Sequence, residues 1–194
     1  MVVTTPATQS SNPMIFRWFA PASREASIAS LYGAIVAQAR RPAFYQIYRV
    51  PDTVTGRLEM IMLHAVLVLH RLQGESAAGR ELGQDLFDRF CSDMDDNLRE
   101  MGVGDLTVPK RMQAFGEAFY GRVAAYDLAL SDDQEEPLAQ AICKNILDGE
   151  GIDNARRLAA YARTTVARLD HLDDAALLAA SWAFPSPLEE RHSQ

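Results

Sequence analysis

The stretch Leu98-Arg-Glu-Met-Gly-Val-Gly-Asp-Leu-Thr-Val-Pro-Lys-Arg-Met112 reads as the end of one helix, a tight polar loop and the start of another. Gly102 can take the left-handed conformation of a helix C-cap, which lets Val103 pack back on the last turn. Pro109 fits the first turn of the next helix, where its missing N–H costs nothing. Upstream, Leu82, Leu86, Phe90, Met94, Leu98 and Met101 recur at helical spacing, and downstream Met112, Phe115, Phe119, Val123, Tyr126 and Leu130 do the same. That period marks helices with one buried stripe, so the stretch is the turn of a helical hairpin.

Outward from the hairpin the same period continues. A first helix is expected over about Ser23 to Ala39, with Ile28, Leu31, Ile35 and Ala39 on one face and Pro42 ending it. Phe44, Tyr45 and Tyr48 then share a short aromatic turn. Pro51 restricts the backbone, and Asp52 or Thr53 can cap a helix from Val54 to Leu72. Its segment Arg57 to Leu72 is apolar nearly all round, which predicts a central helix buried on several sides. After the acidic run Ser131 to Glu136, further helices are expected over about Pro137 to Leu147 and Asn154 to Leu169. A short one capped by Asp173 should end before Pro185. No run combines strict alternation with hairpin dipeptides. The expected fold is all-α, a single-domain bundle of about seven or eight helices over residues 23–185. Residues 1–22 read as a flexible leader containing the aromatic segment Met14-Ile-Phe-Arg-Trp-Phe19, and 186–194 as a frayed tail. Gly116 and Gly121, costly inside a helix, predict close backbone packing there and make Tyr120-Gly121-Arg122 a candidate contact surface.

With 194 residues, 48% of them hydrophobic, the chain can bury one sizeable core. A net charge of -7 argues against general nucleic-acid binding, which depends on neutralising many phosphates. The two cysteines, Cys91 and Cys143, read as buried free thiols and fit a reducing compartment. The start of the chain has no secretory pattern, and the run Met60 to Leu69 is interrupted by His64 and too short to span a bilayer. A cytoplasmic location is expected, with Met14–Phe19 able to reach a membrane surface at its inner face.

Reaction chemistry finds little support. His64 and His70 lie roughly 240° apart around a helix and cannot easily share a ligand, and no metal-binding motif accompanies them. Gly102-Val-Gly-Asp105 follows a helix and lacks the remaining residues of a phosphate loop. Asp93, Asp95, Asp96 and Glu100 spread over a solvated helix. No serine or cysteine sits in a nucleophile motif. An enzyme, a metal centre and a bound cofactor are therefore not expected. Met60, Met62, Met94, Met101 and Met112 could form an adaptable apolar surface, with core packing as the plainer reading.

The run Arg57 to Leu72 with His64 and Arg71-Leu72, then Asp93-Met94, Leu98 to Asp105, Lys110 and Phe119-Tyr-Gly-Arg122, resembles the ubiquinol:cytochrome c chaperone family. The resemblance covers about Leu31 to Leu130, including Leu31-Tyr-Gly33 and Pro51-Asp-Thr53. It implies a non-enzymatic assembly factor for ubiquinol:cytochrome c reductase that binds newly made cytochrome b, apo or partly haem-loaded. Mitochondrial members work with a small helical partner near the ribosomal exit. The leader here is not the Arg-rich, acid-poor kind, which favours a bacterial cytoplasmic member. On this reading Arg99, Glu100, Asp105, Lys110, Tyr120 and Arg122 form the polar rim of a client-binding surface, and Met112, Phe115 and Phe119 its apolar contacts. The competing reading is a haem or other small-molecule binder using His64 and a methionine.

Overall fold

The structure, a computed structural model, describes residues 21–73, 77–132 and 134–187. The Met14–Phe19 segment and residues 188–194 lie outside the described residues. Eight helices and no strand are found among the described residues: α1 (Pro21–Ala39), α2 (Pro42–Gln46), α3 (Val54–Gln73), α4 (Ala77–Glu100), α5 (Val108–Leu130), α6 (Glu136–Ile146), α7 (Ile152–Asp170) and α8 (Asp174–Leu178).

The apolar-all-round segment becomes the axis of the bundle. From Met60 to Leu69 every residue of α3 is buried, and the helix packs against α1, α4, α5, α6 and α7. Fully burying one such side chain stabilises the fold by about 1.5–3 kcal/mol, so a helix with no polar face must lie where neighbours surround it. Met60 and Met62 belong to this core and are unavailable as an adaptable surface. Thr53 provides the cap, its Oγ1 accepting from the Gly56 N–H at 3.1 Å. Asp52 instead accepts from Arg57 Nε at 2.7 Å.

Close backbone approach occurs at Gly56 rather than at the glycines of α5. A Cβ on Gly56 would sit 2.0 Å from the Pro51 carbonyl oxygen, whereas at Gly116 or Gly121 it would meet nothing within 4 Å. The expectation for α5 is corrected accordingly: Gly121 is exposed, Gly116 half-buried, and no neighbouring backbone presses on either. Cys143 is buried as expected, but Cys91 is only partly so, and both are free thiols.

Two arginines close helix ends. Arg71 donates to the carbonyls of Leu169 and Leu172 at the end of α7 (3.2 and 2.5 Å), and Arg163 to those of Ala129 and Asp132 at the end of α5 (3.0 and 2.7 Å). These bonds fasten the C-terminal ends of α7 and α5 to α3 and α7. Beyond α8 the chain is irregular and tied back to the core. Gln38 Nε2 donates to the Pro185 carbonyl at 3.1 Å, and the Tyr48 hydroxyl to the Pro187 carbonyl at 2.7 Å. Pro187 is buried, so the packed domain runs past the boundary expected at 185.

Candidate functional site

The α4–α5 hairpin carries all nine residues singled out from the sequence, and its turn forms as the glycine demands. Gly102 has φ 77°, its N–H bonds the Arg99 carbonyl at 2.9 Å, and the Val103 N–H bonds the Leu98 carbonyl at 3.0 Å. This is a Schellman closure of α4. The Gly104 carbonyl then accepts from Thr107 and Val108 at 2.7 and 3.2 Å, starting α5. Arg99 ties the turn to the helix, donating to Asp95 at 2.5 Å and to Asp105 at 2.7 Å. Both pairs are open to solvent, which screens them, so they shape the turn more than they stabilise it.

The nine residues fall into three groups. At the tip, Arg99, Glu100, Asp105 and Lys110 are exposed, next to two large apolar side chains that face water, Met101 (63%) and Leu106 (97%). Met112, one turn into α5, is half-buried and packs on the core. In the middle, Phe115 and Phe119 are buried and belong to an aromatic ladder that joins the two helices. The Phe90 ring centroid lies 5.0 Å from Phe115 and 5.6 Å from Phe119, and Phe87 lies 4.9 Å from Phe119. Phe119, at 1% exposure, packs α5 against α4.

The third group begins at Tyr120, about 15 Å along the helix from Lys110 at 1.5 Å per residue. Tyr120 is 60% exposed and its ring meets Phe87 at 5.3 Å. The two rings line an apolar cleft of about 180 Å³ between α3, α4 and α5, whose other walls include Leu69, Leu72 and Val123. Gly79 and Gly83 form its α4 side, and a Cβ on Gly83 would come within 3.3 Å of Leu69. Sequence reasoning did not find this cleft; the glycine pair four residues apart on α4 was the available signal. Arg122, two residues on, turns away from the rim. Its Nε and Nη2 form a forked pair with the buried Glu59 carboxylate of α3 at 3.0 and 2.6 Å. The bond to Glu59 is the main reason its guanidinium pKa is raised. Arg122 thus joins α5 to α3 through Glu59.

His64 is the axial-ligand candidate of the competing small-molecule reading. It is fully buried, with Nδ1 2.7 Å from the Met60 carbonyl and Nε2 2.9 Å from the Tyr161 hydroxyl. A carbonyl only accepts, so Nδ1 carries the proton; Nε2 accepts from Tyr161, whose oxygen accepts in turn from Gln38 Nε2 at 2.9 Å. Burial lowers the His64 pKa to about 4. Phe44 and Phe184 close around the ring, each at 5.3 Å. Both nitrogens are engaged in packing the core, and neither is open to an iron atom. Among the described residues, no cluster of three or more histidine, cysteine, aspartate or glutamate side chains could hold a metal ion.

The family model for ubiquinol–cytochrome c chaperones matches residues 46–184, from the end of α2 through the whole hairpin to the C-terminal strap. The chain belongs to that family. The ubiquinol–cytochrome c chaperone match includes the C-terminal third, which the sequence motifs alone had not reached. The chain is 27% identical over 167 residues to ubiquinol-cytochrome-c reductase complex assembly factor 1 of Xenopus laevis, covering 84% of this chain and 82% of that one. The crystal structure of the Cbp3 homolog from Brucella abortus superposes with a TM-score of 0.76 at 42% identity, over 84% of this chain and 91% of that chain. No described helix of this ubiquinol–cytochrome c chaperone family member is long and apolar enough to cross a membrane.

Proposed function

We propose that this member of the family is a non-enzymatic chaperone that binds newly made cytochrome b before or during haem insertion, at the inner face of the cytoplasmic membrane. The observation that carries the reading is the hairpin itself. Within the family-matched region, one element presents Met101, Leu106 and Tyr120 to water beside the charges of Arg99, Glu100, Asp105 and Lys110 and an open apolar cleft. A membrane protein awaiting its cofactor exposes apolar helix surface, and a groove with an apolar floor and a polar rim shields such a segment without covalent chemistry. Arg99, Glu100, Asp105, Lys110, Met112 and Tyr120 remain the client-facing residues, joined by Met101 and Leu106. Phe115, Phe119 and Arg122 hold the hairpin in shape.

The reading is tested in a host lacking the protein, complemented with a Met101→Ser, Leu106→Ser, Tyr120→Ser variant. These side chains are exposed, so the variant should keep the wild-type unfolding temperature while haem-loaded cytochrome b in the membranes falls severalfold. A folded variant that restores full cytochrome b absorbance would contradict the surface.

A further inference from the structure

The chain carries a net charge of -7, yet one end of the bundle is strongly cationic. Between Ala39 and Arg57 there are four arginines, Arg40, Arg41, Arg49 and Arg57, and a single carboxylate, Asp52. All four are exposed and surround the five-residue helix α2. Arg40 and Arg41 precede it, and Arg49 follows it. Arg57 reaches back from α3 to lie 5.9 Å over the Tyr45 ring. A fifth, exposed Arg157 arrives from α7, donating to the Ile47 carbonyl at 3.3 Å and lying 5.1 Å over the Tyr48 ring. Asp52 is already bonded to Arg57. Among the described residues Arg40, Arg41 and Arg49 meet no carboxylate. Arg49 is presented at φ 61°, a conformation uncommon for a residue with a side chain. Val54 stands in the same loop, a large apolar side chain 78% exposed at the start of α3.

From this juxtaposition we infer that the α2 end of the bundle docks on a bilayer surface containing anionic phospholipid, with Arg40, Arg41 and Arg49 on headgroup phosphates and Val54 at the acyl boundary. Arginine forks match phosphate oxygens, and each basic residue near an anionic leaflet strengthens binding about fivefold. An apolar residue set among the cations distinguishes a lipid surface from a soluble polyanion, which would leave Val54 in water. The inference rests on the proposed membrane-protein client only in preferring lipid to another anionic partner, and its surface is separate from the α4–α5 hairpin.

The test is co-sedimentation of the full chain with protein-free vesicles, which reads lipid binding independently of client capture. Binding is expected to phosphatidylcholine vesicles containing phosphatidylglycerol at about 0.15 M salt, and not to phosphatidylcholine alone. It should weaken about a hundredfold in an Arg40→Gln, Arg41→Gln, Arg49→Asn variant; asparagine is chosen because it tolerates positive φ. Val54→Ser in the otherwise wild-type chain should lower affinity severalfold, and raising the salt on the wild type should release it. Failure of the wild type to bind anionic vesicles would overturn the inference. So would binding unchanged in the folded triple variant, which would place the contact elsewhere, or tighter binding to single-stranded RNA at the same salt, which would assign the arginines to nucleic acid.

Discussion

Replacing Arg122 with alanine would leave the Glu59 carboxylate, 6% exposed, without either of its two arginine bonds. Breaking a buried pair from one side costs about 3–5 kcal/mol, because the remaining charge has lost water and gained nothing. The Arg122 side chain is 24% exposed, so water can partly reach the abandoned carboxylate and the lower figure, about 3 kcal/mol, applies. For a domain of this size about 1 kcal/mol moves the unfolding midpoint by 2–4 °C, giving an expected fall of about 6–12 °C. Thermal unfolding followed by far-ultraviolet circular dichroism measures it directly. The double variant Glu59→Met, Arg122→Met removes both charges while keeping apolar volume, and should recover most of the loss. A midpoint for Arg122→Ala within about 1 °C of wild type would show that Glu59 does not depend on Arg122 and leave that arginine to the client-facing rim. The outcome also governs cell experiments, since a defect caused by this residue reports on folding before it reports on recognition.

Three further outcomes follow from the same packing. Gly56→Ala would drive a Cβ to 2.0 Å from the Pro51 carbonyl, and moving that backbone should cost about 1–3 kcal/mol or more, read from denaturant midpoints; an unchanged midpoint would contradict it. The unfolded chain takes a proton on His64 as pH falls through 6.5, whereas the folded protein holds that group neutral until about 4. Stability should therefore be flat with respect to His64 above pH 6.5 and decline by about 3 kcal/mol across the window below it. His64→Gln should show a shallower decline between pH 6.5 and 5, and equal slopes would refute the assignment. Phe119→Ala should cost about 3–5 kcal/mol by opening the aromatic ladder; a loss below about 1 kcal/mol would show that α4 and α5 are held together by other contacts.

The helices were legible because each carries its apolar residues at a helical period, and the hairpin turn because Gly102 does what only a few residues do cheaply. Contacts between distant parts of the sequence were not. Arg122 and Glu59 are 63 positions apart, and nothing local to Tyr120-Gly121-Arg122 says that the arginine faces a buried acid. His64 reads from the sequence as a hydrogen-bonded core histidine, but its partner Tyr161 lies 97 positions away. Glycine signals absence of a side chain, not its reason. At Gly56 the reason is the Pro51 carbonyl, while Gly116 and Gly121 have open space above them. The cleft beside Tyr120 needs three helices to meet, and the Phe184–Pro187 strap has no period at all, so neither could be read before the fold.

Client capture by the hairpin is read by placing a photoreactive amino acid at Leu106 or Tyr120, with exposed Thr164 on α7 as the control position, and irradiating membranes of the native host. Cytochrome b should be captured from the two hairpin positions and not from Thr164. Equal capture from all three positions, or none from the hairpin while the labelled proteins remain folded, would contradict it.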